Sequence, residues 1–112
     1  MANWSEKLYK ADISISSSGD NTIIAAPGAG KRIAIDLVNV LPTSAVSVQM
    51  KDGATNYGGA YPLDAKQPFV FENTIQNYDG IITLSANSAF VLNLGSAVHV
   101  GGFVRYRILD QS

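Results

Sequence analysis

The sequence predicts an all-β chain: a single antiparallel β-sandwich of roughly eight to nine strands. Three observations carry this. Turn residues recur about every ten positions along the chain, the spacing of a sandwich or barrel. The runs between them are rich in Val, Ile, Thr, Phe and Tyr, which suit a pleated, half-buried surface. Several runs alternate with period two, and none carries a convincing apolar stripe at helical spacing.

The closest approach to a helical pattern is Trp4-Ser5-Glu6-Lys7-Leu8-Tyr9, too short to stand alone as a helix. Residues 1–9 read as an N-terminal arm leading into the first strand. A tryptophan outside the predicted core needs another surface to cover it, so Trp4, Lys7 and Tyr9 are candidate interface residues of an arm docking on a neighbour. The start lacks the basic and apolar regions of a signal peptide, and no apolar run is long enough to span a bilayer. The expectation is a soluble protein made in the cytoplasm, without a membrane partner.

Strands are expected at 8–16, 20–26, 31–41, 45–51, 55–61, 68–73, 80–84, 88–94 and 97–109. Val46, Val48 and Met50 alternate with Ser47, Gln49 and Lys51; Phe69 and Phe71 with Val70 and Glu72; Val104, Tyr106 and Ile108 with Arg105 and Arg107. Each run can bury one face and wet the other. The run from Ile33 to Leu41 changes the parity of its apolar set, which predicts a bulge near Leu37-Val38 or burial of both faces. Asp52-Gly53-Ala54-Thr55 can close a hairpin between strands 45–51 and 55–61. There is no internal repeat, low-complexity tract or linker, so residues 1–112 read as one domain.

Of the 112 residues, 15% are charged, the formal net charge is -1, and there is no cysteine. Disulfides, thiolate metal sites and a cysteine nucleophile are excluded. With no basic stripe, nucleic acid is not an expected partner. A weakly charged surface is poorly protected against self-association, a hint that a partner covers part of it.

Pro27-Gly28-Ala29-Gly30-Lys31-Arg32 approaches a phosphate-binding loop and fails twice. Ala25 stands at the first glycine position and Arg32 at the hydroxyl position. It also leads into a predicted strand rather than a helix, so it reads as a turn. His99, the one histidine, lies between Val98 and Val100 with no nucleophile or carboxylate nearby in sequence. The carboxylates are scattered; Asp20, Asp52 and Asp79 sit beside turn residues, where aspartate serves the backbone. No catalytic, cofactor or metal site is predicted, and the chain is not expected to be an enzyme. Tyr57 and Tyr61 flank Gly58-Gly59-Ala60, and Tyr78 sits in a turn. They read as core rings, as protein-interface anchors, or as a sugar-stacking platform.

The chain also resembles a known group. The residues concerned run from Gly30-Lys31-Arg32-Ile33-Ala34-Ile35 through the Val46-to-Gly53 strand, Gly58 to Leu63, and Phe69 to Phe71. Leu92-Asn93-Leu94-Gly95-Ser96-Ala97 and the closing Val100-to-Tyr106 strand complete the pattern. It is similar to the small β-sandwich decoration, or cement, proteins of tailed-bacteriophage capsids. That resemblance implies a jelly-roll-like domain on the capsid exterior. Its partner would be the major capsid protein at junctions between capsomers, and it would form a dimer or trimer that stabilises the shell. The alternatives are a carbohydrate-binding module and another tail or head-fibre protein.

Overall fold

The computed structural model describes residues 8–72 and 82–110. Among these, the chain forms ten strands: β1 (Tyr9–Ile15), β2 (Gly19–Ile24), β3 (Lys31–Pro42), β4 (Val46–Asp52), β5 (Thr55–Asn56), β6 (Tyr61–Leu63), β7 (Phe69–Glu72), β8 (Ile82–Thr83), β9 (Phe90–Leu94) and β10 (Val100–Asp110). Nine segments were expected. The additional strand arises within 55–61, where Gly58, at φ 73°, breaks the run between β5 and β6.

The strands make two antiparallel sheets. In the first, the order is β1-β10-β3, with β7 and β8 both on the far edge of β3. In the second it is β2-β9-β4, with β5 and β6 both on the far edge of β4. With β5/β6 and β7/β8 counted as single positions, β1 pairs β10, β2 pairs β9, β3 pairs β7/β8 and β4 pairs β5/β6. This is a long hairpin wrapped across two sheets, the jelly-roll arrangement. Its tip is the predicted Asp52–Thr55 turn, with Gly53 at φ 62°.

The inward residues of both sheets form one core, with Phe90, Ile33, Ile35, Leu84, Leu92 and Val104 among its fully buried members. The parity change in β3 is a bulge. Ile35 faces Tyr106 and Leu37 faces Arg105, so Asp36 is the unmatched residue. Ile33 and Ile35 point inward before it, Val38 and Val40 after it. Asp36 uses its displaced position to meet Arg107 at 2.9 Å, and both side chains are largely withdrawn from water.

β3 and β10 approach closely at Gly102, whose φ is 148°. A Cβ there would lie 1.8 Å from the carbonyl oxygen of Asn39, on the backbone of the paired strand. Gly102→Ala is expected to cost at least about 2 kcal/mol, because the paired backbone must move. Gly59, with open space around it, is the control: Gly59→Ala should stay within about 0.5 kcal/mol. Urea unfolding of the two variants checks both values, and equal stabilities would contradict the close approach.

Candidate functional site

Trp4, Lys7 and Tyr78 lie outside the described residues. Tyr9 does not belong to a free arm: it opens β1 and stacks on Tyr106 of β10, with ring centroids 5.4 Å apart. Tyr61 is half-buried in a ring cluster, 4.5 Å from Phe69 and 5.7 Å from Phe71. Tyr57 is exposed. Tyr57 and Tyr61 are brought together, as walls of a cavity of about 260 Å³ that is completed by Met50, Gly58, Phe71 and Ile82.

The registers explain why a cavity forms there. The far edge of β3 is shared between β7, paired along Leu37–Val40, and β8, paired at Ala34 and Ile35. Among the described residues, neither pairing reaches the Asp36 bulge. The far edge of β4 is likewise shared between β6, along Val46–Val48, and β5, at Lys51 and Asp52. Here the interruption falls at Gln49 and Met50. The cavity has Met50 of β4 on one side and Phe71 of β7 and Ile82 of β8 on the other. The Gln49 side-chain amide holds the open edge of β4, donating to the carbonyls of Met50 at 2.8 Å, Gly58 at 3.0 Å and Tyr57 at 3.3 Å.

The two outer faces differ in chemistry. On the second sheet, the Asp20 carboxylate accepts from Asn93 Nδ2 at 2.7 Å and from Lys51 Nζ at 3.1 Å. The Asn93 hydrogen bond, and then that of Lys51, hold the Asp20 carboxyl below its usual range. On the first sheet, alternation places Leu37, Leu41, Val70 and Phe103 on the outer side around Asn39. Val70 is 53% exposed and Leu41 45%. Leu41 also borders a shallow depression with Asn39, Thr43, Pro68, His99 and Gly101. This apolar face was not predicted, although its signal was present: Val70 and Phe103 occupy the wet phase of strands whose other phase packs on the core.

The glycine-rich turn is closed to phosphate by its own hydrogen bonds. Gly28 N–H donates to Asn87 Oδ1 at 2.9 Å, Lys31 N–H donates to the Gly28 carbonyl, and Lys31 Nζ pairs with Asp110 at 2.8 Å. Asp20 and Asp52, expected to serve their own turns, instead tie distant segments. Asp52 accepts from the Ser85 backbone N–H at 3.0 Å and hydroxyl at 2.7 Å, across to the β8–β9 loop. Among the described residues, no group of three or more His, Cys, Asp or Glu could hold a metal ion, and no helix is long and apolar enough to cross a membrane.

No family model, curated protein or solved structure matches the chain.

Burial opposes the charge of Asp52, but hydrogen bonds from Ser88 and Ser85, with Arg32 nearby, outweigh it and lower its pKa. The folded carboxyl therefore keeps its charge to lower pH than the unfolded one. The stability this contributes is present above about pH 4 and is lost as pH falls through the folded value. Asp52→Asn should melt below wild type at neutral pH, with the gap closing below about pH 4. A gap independent of pH in calorimetric scans would contradict the charge-based tie.

Proposed function

We propose that this chain is a structural virion protein that binds the outer surface of a tailed-phage capsid between capsomers and stabilises the shell. The major capsid protein is its partner, and a dimer or trimer is the bound form. The observation that carries the reading is the outer face of the first sheet. A solvent-facing apolar surface built on two long, mutually paired strands fits docking on another protein. The resemblance in sequence supplies the kind of partner. Attachment of many copies to one shell makes modest individual affinity sufficient, since contacts through several subunits add by multivalency. The chain is made in the host cytoplasm and functions on the virion exterior.

Tyr57 favours one second reading, a carbohydrate-binding module, because its ring is exposed beside the cavity. A glycan array without hits, or glycan binding that survives Tyr57→Ala, would remove that reading.

The test of the capsid reading is co-sedimentation with expanded capsids at micromolar protein. Wild type should pellet with capsids. Leu41→Asp and Val70→Asp should each weaken attachment at least about tenfold, while unfolding stability stays within about 0.5 kcal/mol. Removing residues 1–7, which leaves Tyr9 stacked on Tyr106, should weaken attachment more than it lowers the melting temperature. Wild-type protein left in the supernatant would overturn the capsid reading. Aspartate variants that bind as well as wild type would remove this face from it.

A further inference from the structure

We propose that the cavity lined by Met50, Tyr57, Gly58, Tyr61, Phe71 and Ile82 is a binding site for one flat, uncharged ring system about the size of indole. This does not rest on the capsid reading, since the cavity and the outer face of the first sheet are separate surfaces.

Size sets the first limit. An apolar cavity of roughly 150 Å³ accommodates benzene; at about 260 Å³ this one has room for a fused bicyclic ring. The lining sets the second. Met50, Tyr57, Gly58, Tyr61, Phe71 and Ile82 include no charged side chain, so a charged group would enter without a counter-ion from these walls. A thioether and three aromatic rings are polarisable surfaces that favour another ring. A pyranose suits the walls less well. Its hydroxyls each need a partner, and the side chains offer two phenol groups and no other polar atom.

Rigidity sets the third. The floor is core: Met50 is 2% and Ile82 4% exposed. Phe71 and Tyr61 are held by each other and by Phe69, which lies 4.9 Å from Phe71. The rim is fastened by the Gln49 amide and by the Tyr57 N–H, which donates to the Met50 carbonyl at 2.8 Å. A site held this way needs little ordering when a ligand enters, which favours binding of a small group. Tyr57 is the exposed wall.

The test is a titration of the full chain with indole, benzyl alcohol, benzoate and methyl glucoside, followed by methyl and aromatic NMR. Indole should bind one site with a Kd of about 0.1–1 mM, the range its nine heavy atoms allow. The Met50 and Ile82 methyl signals should shift, and Leu41 and Val70 should not. Benzyl alcohol should bind more weakly than indole, and benzoate and the glucoside at least about tenfold more weakly. Tyr57→Ala should weaken indole binding several-fold with an unchanged fold. Three outcomes would overturn the proposal: no saturation by about 10 mM indole, benzoate or glucoside binding as tightly as indole, or shifts centred away from Met50 and Ile82. The wild-type shifts decide the matter even if the variant is poorly folded.

Discussion

The pairing of β3 with β10 is the constraint on which the rest of the molecule depends. Their register runs from Val100 opposite Pro42 to Asp110 opposite Lys31. In the first sheet every other strand attaches to one of the two: β1 to β10, and β7 and β8 to β3. The pairing joins residues far apart in sequence, so its loop-closure cost must be met before its contacts form. The wrapped hairpin reduces that difficulty. Pairings widen outward from the tip, from Asp52 with Thr55, to Val40 with Phe69, to Ile24 with Phe90, to Ile15 with Val100. Each inner pairing brings the next pair of segments closer. The close approach of Gly102 to Asn39 sits inside this central ladder, where no side chain could be fitted without moving a backbone.

Much of this was legible because sheets impose a period of two. Val46, Val48 and Met50 are buried as their alternation required, and the parity change in β3 located the bulge within about a residue. The hairpin at Gly53 was legible because a positive φ favours glycine. What periodicity cannot express is the lateral order of strands. Nothing in the run 55–61 announced that β5 and β6 would share one edge of β4, or that β7 and β8 would share one edge of β3. The cavity follows from that sharing. Tyr57 and Tyr61, noted together in the sequence, line one cavity, but whether a ring stacks on Phe69 or faces water depends on which edge lies opposite. Arg107 and Asp36 escaped notice for the same reason: their meeting follows from a register shift between strands distant in sequence.

The scarcity of charge acquires a structural meaning once the pairs are located. Asp20 with Lys51, Asp36 with Arg107, Lys31 with Asp110 and Lys10 with Asp12 all meet within the sandwich. The exposed pairs, Lys10 with Asp12 and Lys31 with Asp110, contribute little stability individually. Pairing gives each charge a partner of opposite sign, which lowers the desolvation cost of burying it against a neutral surface. The outer face of the second sheet commits its polar groups to one another through Asp20, Asn93 and Lys51. The outer face of the first exposes apolar side chains around Asn39. An association that buries the first face has less desolvation to offset than one that buries the second, so the two sheets of one core are suited to different surroundings.

The edges divide in the same way. On the side of the cavity the edge of β4 is cut into short pieces, two residues in β5 and three in β6. Short, interrupted edges present little continuous ladder to another chain, a recognised protection against edge-to-edge aggregation. On the opposite side, β1 and β2 are uninterrupted, with seven and six residues. The break between β5 and β6 also sets Tyr57 and Gly58 beside Met50 at the cavity. A strand added by a partner would have its longest template at β1 or β2, away from the cavity. The outer face of the first sheet, the blunt edge with its cavity and the long edge are therefore distinct surfaces, and changes in one can be made without rebuilding the others.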